Sequence, residues 1–311
     1  MENPKPIHVW AAAPTPLTAA LGIDVPAAEK MVADAVAGGL HGLFLGGTCG
    51  EGLWLRDRDR RVLVETVARA AHRRLEIAVQ VSDNSVPRVL DNIAEARQAG
   101  ADVAVVAPAM AMMNATPSRI AALFEEVVRR SPLPVGIYDL GPKRSFSLPE
   151  EDLRRIYLLP GVTLVKDSSA APARRAIALA ARREKPGLRL FNGDEFRGLE
   201  YLQAGYDGVM FGGAVAVMPH LRRLVGSFQA GRLAEAAAVD AEMKDILWGL
   251  YGGKDIACWL TGLKYFLVRR GVFSTPASFF EYPLTDGCRA FIDRYAAGLA
   301  AGAGPDQRRA S

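Results

Sequence analysis

The sequence has little cysteine and little histidine. Its three cysteines, Cys49, Cys258 and Cys288, are too few and too scattered for a disulfide framework or a zinc site. The four histidines show no paired metal-ligand spacing, so we expect no bound metal ion. This cysteine usage is typical of a reducing compartment, and we expect a soluble protein of the cytoplasm.

Long apolar runs and blocks of basic residues are also missing. The longest apolar segments are far shorter than the roughly 20 residues that a membrane-spanning helix needs. Residues 1–5 show no signal-peptide pattern. The net charge of +4 arises from 38 basic and 34 acidic residues spread along the whole chain. We therefore expect neither a membrane nor a nucleic acid as a partner.

What the 311 residues do contain is a regular alternation of short apolar segments and longer amphipathic ones. The short segments are continuous apolar runs, which are typical of parallel strands buried on both faces. The predicted strands are 7–11, 42–45, 77–81, 103–106, 135–138, 162–166, 188–191 and 208–211.

Segments with apolar residues at helical spacing lie between and after these strands. The predicted helices are 25–37, 57–73, 85–98, 117–130, 148–157, 172–183, 196–203 and 214–229. Eight strand–helix units without a long break favour a closed (β/α)₈ barrel, the TIM barrel, over an open sheet. An open doubly wound sheet usually has a glycine-rich phosphate turn after its first strand, and residues 12–17 form no such turn.

Beyond Gly231 the pattern becomes purely helical. Segments 234–249, 255–270 and 285–300 are predicted as three additional C-terminal helices. We assign residues 1–230 to the barrel and 231–300 to a helical extension of the same domain. Residues 301–311 are small, charged and aperiodic, and we predict that they are disordered.

Lys166 closes the sixth predicted strand, at the barrel end where such folds carry their reactive groups. Among eight lysines and thirty arginines, it is the only lysine that ends an apolar strand. Desolvation in a barrel mouth favours the neutral amine, which is the form that attacks a carbonyl. The alternative is a structural lysine paired with Asp167 or Glu51.

Tyr138 closes the fifth predicted strand, next to that of Lys166. Because adjacent strand ends meet at the same mouth, its phenol is placed to shuttle a proton during carbinolamine dehydration and carbon–carbon bond chemistry. A tyrosine that only plugs the barrel end is the structural alternative.

The turn after the second strand contains four glycines in residues 46–52. Glycines let a backbone approach a ligand closely, and successive N–H groups, here including that of Gly50, can form a nest for a carboxylate. Thr48 adds a hydroxyl donor to this turn. The turn is therefore a candidate site for an anionic substrate group.

Together, this turn, Tyr138 and Lys166 resemble the dihydrodipicolinate synthase/N-acetylneuraminate lyase family. The resemblance covers nearly the whole chain and includes residues 84–89, 99–102, 191–195 and 204–208. It implies a (β/α)₈ barrel that uses neither metal nor organic cofactor and associates as a homodimer or homotetramer. It also implies that the lysine condenses with pyruvate or another 2-oxo acid.

The resemblance assigns roles to individual residues. Lys166 matches the Schiff-base lysine, and Tyr138 matches the proton-transferring tyrosine. Thr48 and Cys49, in the turn that includes Gly50, match the positions that hold the carboxylate of the 2-oxo acid. Met210 matches a strand-eight position whose main chain lines the pocket.

The sequence departs from the synthase branch of this family. Cys49 stands where that branch has a second threonine of its proton relay. Residues 108–113, which contain three methionines, stand where it has a tyrosine pair. The arginine expected after Tyr138 is displaced by one residue, so Lys143 or Arg144 is the candidate replacement.

An acidic pair, Asp194 and Glu195, follows the seventh strand. In family members that cleave sialic acid, an acidic pair in this loop accepts hydrogen bonds from sugar hydroxyls, with one more residue after the glycine. A helix N-cap near Phe196 is the structural alternative for one of the two.

The leading hypothesis is an aldolase or lyase that acts on pyruvate or another 2-oxo acid, with a 2-keto-3-deoxy sugar acid as one candidate substrate. The first alternative is 4-hydroxy-tetrahydrodipicolinate synthase, which condenses pyruvate with aspartate semialdehyde. The missing hydroxyl groups argue against it. A dehydratase that uses the same Schiff base and a non-catalytic 2-oxo-acid binding protein are the other two.

Overall fold

Eight parallel strands close into a barrel in a computed structural model that describes residues 6–108, 116–142 and 147–302. Each strand pairs with its neighbours in sequence, and the first pairs with the last. This confirms the predicted (β/α)₈ barrel. The strands are β1 His8–Ala12, β2 Gly42–Leu45, β3 Glu76–Gln80, β4 Val103–Val106, β5 Val135–Asp139, β6 Val162–Asp167, β7 Arg189–Asn192 and β8 Gly208–Phe211.

A helix follows each strand around the outside of the barrel. These helices are α1 Val25–Ala37, α2 Asp57–Ala71, α3 Val86–Gln98, α4 Pro117–Arg130, α5 Glu150–Tyr157, α6 Pro172–Glu184, α7 Gly198–Gln203 and α8 Ala214–Gln229. The predicted C-terminal helices come next as α9 Leu233–Leu250, α10 Trp259–Arg269 and α11 Asp286–Gly302.

The strands are buried on both faces, as their continuous apolar sequences predict. Inward-facing side chains such as Trp10, Phe44 and Phe191 fill the barrel interior. Outward-facing side chains such as Leu43 and Val209 pack against the helices. Each fully buried large apolar side chain stabilises the fold by about 1.5–3 kcal/mol relative to exposure.

Several helices begin one to four residues later than the sequence predicts, and two of these shifts lie near the cavity described below. Helix α10 is predicted from residue 255 but starts at Trp259, because Ile256 has a left-handed φ of 47° and Cys258 N–H bonds back to the Tyr251 carbonyl at 2.8 Å. The segment predicted as a helix at 196–203 is a 3₁₀ turn, Glu195–Arg197, followed by α7. Both changes lie at the end of the barrel that carries the carboxyl ends of the strands.

Several predictions concern residues outside the described ranges, namely Lys143, Arg144, the methionines of segment 109–113, and residues 303–311 of the predicted tail. Helix α11 reaches Gly302, two residues into the segment predicted to be disordered. Within the described ranges, no helix combines the length and apolar character that crossing a membrane requires. The same residues contain no group of three or more metal-ligating side chains suited to a metal ion.

Candidate active site

A cavity of about 620 Å³ lies at the carboxyl ends of the strands, where the sequence placed the reactive groups. We distinguish two parts of its lining, named here by their principal side chains. The floor consists of Thr48, Cys49, Gln80, Tyr138, Lys166 and Ser168. The mouth consists of Leu53, Trp54, Ile256, Trp259, Phe280 and Tyr282.

Lys166 and Tyr138 are direct partners in the register between β6 and β5. The Lys166 side chain is only 4% exposed, and its Nζ lies 4.1 Å from the centre of the Tyr138 ring and 4.9 Å from that of Phe44. Within the described residues, no carboxylate lies within ion-pair distance of Lys166 Nζ. The lysine therefore faces aromatic rings and the cavity, as a nucleophilic amine requires.

The two carboxylates considered as partners of Lys166 have other partners. Asp167 accepts a hydrogen bond from the Tyr206 hydroxyl at 2.7 Å. Glu51 forms an ion pair with Lys264. Neither carboxylate therefore makes Lys166 a salt-bridged structural lysine.

The Tyr138 hydroxyl lies 3.3 Å from Thr48 Oγ1, within hydrogen-bond distance. Burial is the largest influence on this phenol and by itself raises its pKa. The positive charge of Lys166, together with the hydrogen bond between Tyr138 and Thr48, outweighs burial and holds the pKa of Tyr138 below its ordinary value. A phenol of lowered pKa beside an amine is suited to exchanging protons with a carbinolamine.

The strand ends that carry these two residues are anchored from outside the barrel. Asp139 and Asp167 are register partners one residue after Tyr138 and Lys166, and the alternation of a strand turns their side chains outward. Asp139 pairs with the buried Arg174 at 2.6 Å. This role was not predicted from the sequence, although the repeated pattern of a reactive residue followed by aspartate was its signal.

The glycine-rich turn presents Gly47, Thr48 and Cys49 to the cavity. Gly50 does not line the cavity, because it packs beneath the turn. A Cβ atom at Gly50 would lie 2.8 Å from Gly46 N and 2.9 Å from the Ala13 carbonyl oxygen. Gly50 therefore allows the tight turn rather than contacting a ligand through its own surface.

Glu51 ties this turn to the C-terminal part of the chain. Its carboxylate is fully buried and pairs with Lys264 of α10. It also accepts hydrogen bonds from Ser278 Oγ at 2.7 Å and Phe279 N–H at 2.6 Å. This cluster was not predicted from the sequence, because its members lie more than 200 residues apart and show no local pattern.

Cys49 is a buried thiol at the floor, where Gly212 of the opposite loop approaches it. Burial is the main cause that raises the pKa of Cys49 to about 12, and the carboxylate of Glu195 adds to it. The side chain therefore stays a neutral, weak hydrogen-bond donor at physiological pH.

Two floor residues that were not predicted from the sequence are Ser168 and Gln80. The buried Ser168 Oγ and Gln80 Oε1 have no hydrogen-bond partner within the described residues. Gly193 closes over the first of them, since a Cβ there would collide with Ser168 Oγ and lie 2.9 Å from Lys166 Cε. The signals were available, because Gln80 is a polar residue next to the end of the third predicted strand and Ser168 follows the sixth predicted strand by two residues.

Only one member of the predicted acidic pair reaches the cavity. Glu195 lines it and accepts hydrogen bonds from Gly213 N–H and the Tyr251 hydroxyl, both at 2.7 Å. Burial raises the pKa of Glu195. Asp194 instead caps the 3₁₀ turn by accepting a hydrogen bond from Phe196 N–H at 3.1 Å, which is the structural alternative for one of the two residues.

Met210 lies below the cavity, in the fully buried interior of the barrel. It is the register partner of Trp10, and its side chain belongs to the inner layer. Gly212, two residues further on, lines the cavity instead.

The mouth consists mainly of aromatic rings in mutual contact. Ring centres are 4.2 Å apart for Trp54 and Phe280, 6.2 Å for Phe280 and Tyr282, and 5.4 Å for Tyr282 and Trp259. We call these four side chains the aromatic arc. The arc was not predicted from the sequence, although aromatic residues are concentrated at 279–282.

Comparison with known proteins places the chain among enzymes of one kind. The model of the dihydrodipicolinate synthetase family matches residues 5–283. The chain is 28% identical over 240 residues to 4-hydroxy-tetrahydrodipicolinate synthase of Symbiobacterium thermophilum, covering 76% of this chain and 80% of that protein. It is 26% identical over 246 residues to a synthase of the same name from Streptomyces coelicolor, covering 78% and 80%.

Solved structures show the same fold. Dihydrodipicolinate synthase of Bacteroides thetaiotaomicron superposes with a TM-score of 0.83 at 24% identity, over 96% of this chain and all of that one. A prophage protein of the family from Escherichia coli K12, solved in complex with pyruvate, gives 0.84 at 19% identity over 94% and 98%. A dihydrodipicolinate synthase variant described as monomeric also gives 0.84, at 18% identity over 94% and 97%.

Proposed function

The chain belongs to the dihydrodipicolinate synthetase family, and on this basis we propose that it is a class I aldolase-type lyase that forms a Schiff base between Lys166 and pyruvate or another 2-oxo acid. One observation carries the proposal. The buried Lys166 amine faces the cavity beside Tyr138, and within the described residues it has no carboxylate partner. An uncompensated buried lysine is costly, and a nucleophilic role explains its presence.

Binding of the 2-oxo acid begins at the turn after β2. The Thr48 hydroxyl and the N–H groups of Thr48 and Cys49 bind its carboxylate, which directs the ketone carbon toward Lys166. The neutral amine attacks that carbon and gives a carbinolamine. Tyr138 then donates a proton to the departing hydroxyl, water leaves, and an iminium ion remains on Lys166.

Carbon–carbon chemistry starts from this iminium ion. Loss of a proton from the carbon next to it gives an enamine, which is the nucleophile toward an aldehyde. Tyr138, hydrogen-bonded to Thr48, is placed to carry protons in these steps. Water finally hydrolyses the product iminium and returns the free amine.

The names of the relatives make 4-hydroxy-tetrahydrodipicolinate synthase the second candidate. Two observations disfavour it. Cys49 supplies only a weakly donating thiol at a relay position. Among the described residues that line the cavity, Lys166 is the only cation, and none of these residues offers a second basic group to the carboxylate of aspartate semialdehyde.

The dehydratase and binding-protein alternatives differ from an aldolase in the steps after imine formation. A dehydratase forms the same iminium ion. Its reaction product, rather than the residues of the site, therefore distinguishes it from an aldolase. A binding protein requires no proton-transferring group, and the contact between Tyr138 and Thr48 therefore favours an enzyme.

Borohydride trapping tests the proposal. Incubation with pyruvate and borohydride should add the mass of the reduced pyruvyl group to the peptide that contains Lys166. Lys264 is the internal control, because it is also buried but is paired with Glu51. The absence of an adduct, or an adduct on Lys264, would refute the assignment.

We further propose that the chain associates as a homodimer or homotetramer and works without metal or organic cofactor, as the resemblance implies. Sedimentation velocity at micromolar concentration measures the first point. For the second, turnover after exhaustive dialysis against a chelator should equal that of the untreated protein.

A further inference from the structure

We infer that the second reactant, an aldehyde that adds to the enamine on Lys166 or is released from it, carries a large apolar or aromatic group that binds at the mouth. The inference rests on the proposed Schiff-base function and specifies its substrate class.

The aromatic arc and Lys166 line one continuous cavity. A molecule bound to Lys166 therefore extends toward these rings as it leaves the floor. Leu53, Trp54 and Ile256 are 42%, 39% and 41% exposed, so apolar surface is available there. Covering such surface with an apolar group is favourable, and aromatic rings add edge-to-face contacts.

Two buried polar atoms without a hydrogen-bond partner among the described residues lie at the floor of the cavity. Ser168 Oγ and Gln80 Oε1 are unpartnered in the described part of the chain and line the same floor as Lys166. This polarity suits the carboxylate and ketone of a 2-oxo acid. The far end of the reactant meets mainly aromatic and aliphatic side chains.

A polyhydroxylated reactant would need several hydrogen-bond acceptors beyond the floor. Glu195 is the carboxylate nearest to such a role, but its two oxygens already accept from Gly213 N–H and the Tyr251 hydroxyl. Asp194 is bound as a cap. The acidic pair therefore offers little to a sugar chain.

The arc is also held in position before any ligand binds. Glu51 binds Ser278 and the Phe279 N–H, directly before Phe280. Lys264 donates a hydrogen bond to the Ala277 carbonyl at 2.7 Å. The rings are thus fixed relative to the turn that contains Thr48, and binding costs little additional ordering.

The bond changes are those of an aldol addition. The enamine carbon attacks the aldehyde carbon, one carbon–carbon bond forms, and the carbonyl electron pair moves to oxygen, which takes up a proton. Water then hydrolyses the iminium ion and releases Lys166. The product is a 4-hydroxy-2-oxo acid with the apolar group on its fourth carbon, and cleavage is the reverse.

The test compares acceptors in the full-length protein with pyruvate as the donor. We expect kcat/KM for benzaldehyde to exceed that for glyceraldehyde and aspartate semialdehyde by at least about tenfold. Phe280→Ala and Trp54→Ala should each lower kcat/KM for benzaldehyde by roughly 10- to 100-fold and that for glyceraldehyde by less than about threefold. Leu233→Ala, which removes an exposed apolar side chain outside the cavity lining, is the matched control and should change neither.

Borohydride trapping of pyruvate in each variant separates the two proposals. If trapping at Lys166 is intact but a hydrophilic aldehyde is preferred, the inference is wrong and the Schiff-base function stands. Equal losses of kcat/KM for benzaldehyde and glyceraldehyde would also overturn the inference. So would a result in which Phe280→Ala and Trp54→Ala change the sedimentation coefficient but neither kcat/KM, because the aromatic arc would then be a subunit contact. Failure of trapping in the unmodified protein would instead refute the proposed function.

Discussion

The floor and the mouth of the cavity are built in different ways. Floor residues such as Lys166 and Tyr138 end strands of the barrel, so strand register sets their separation. Mouth residues such as Trp54 and Phe280 lie in a loop and in the segment between α10 and α11. The floor is buried and hydrogen-bonded, whereas the mouth is apolar and partly exposed.

This difference separates the chemistry from the choice of substrate. A strand end cannot shift without disturbing the hydrogen bonds of the whole barrel, which suits groups that must act on one carbonyl carbon. A loop or an added segment can change its side chains while the barrel stays intact. Changes at the floor should therefore affect imine formation, and changes at the mouth should affect only the second reactant.

The largest effect is expected from Lys166→Ala, which removes the nucleophile and leaves the mouth intact. Turnover should be abolished with every aldehyde, because no other described floor residue is an amine. Measurement of product by mass spectrometry checks this. Lys30→Ala, at an exposed lysine, is the control and should retain full activity. Residual turnover of the Lys166→Ala variant that requires pyruvate would contradict the assignment of imine formation to the floor.

Tyr138→Phe should slow turnover by roughly 10²–10⁴-fold with all aldehydes alike, since it removes a proton-transferring group at the floor. The pKa of Tyr138 is lowered from its ordinary value of 10. The phenolate therefore forms below pH 10, and a step that uses it as a base should accelerate as pH rises toward that lowered value. The increase in rate with pH should therefore be absent in the Tyr138→Phe variant. An unchanged rate would make Tyr138 a structural residue.

Glu51→Gln tests the connection between the two regions. It removes the charge that compensates the buried Lys264, which should lower the free energy of unfolding by about 3–5 kcal/mol in urea titrations. Glu281→Gln, at a nearby exposed carboxylate, should be neutral. Adding Lys264→Met should restore part of the loss, because no uncompensated charge remains. Unchanged stability of Glu51→Gln would show that floor and mouth are independent.

The smallest effect is expected at Cys49. Its pKa is raised to about 12, mainly by burial, so at about pH 8 it contains almost no thiolate, the form that reacts with alkylating agents. Iodoacetamide should modify Cys49 in the folded protein at least about 100-fold more slowly than in urea, and activity should be unchanged. Peptide mass spectrometry measures this. Rapid modification of the folded protein would show that the floor contains a second nucleophile.

The barrel was predictable because its signals are local. Continuous apolar runs of about four to six residues specify strands buried on both faces, and the boundaries of β2, β4 and β8 agree with the prediction. Asp24 and Thr116 act as the N-caps of α1 and α4, as their residue types indicate. Lys166 and Tyr138 were predictable for the same reason, since a strand end defines a position in the barrel without further information.

Residues whose role depends on distant partners were not predictable. Glu51 was considered as a partner of Lys166, but only the folded chain brings Lys264 and Ser278 to it. Asp194 and Glu195 are adjacent and chemically alike, yet one caps a turn and the other lines the cavity. The path of the backbone after β7 decides which of the two carboxylates caps the turn and which one lines the cavity.

The sequence by itself determined the barrel, the order of its elements and the reactive pair at its strand ends. These features arise from hydrophobic periodicity and from the alternation of side chains along a strand, which operate over a few residues. Only the tertiary structure decided that Trp54 contacts Phe280 and that both face the cavity of Lys166. The physical reason is that the mouth is made by segments more than 200 residues apart, and their contacts form only when the barrel closes and α10 packs beside it.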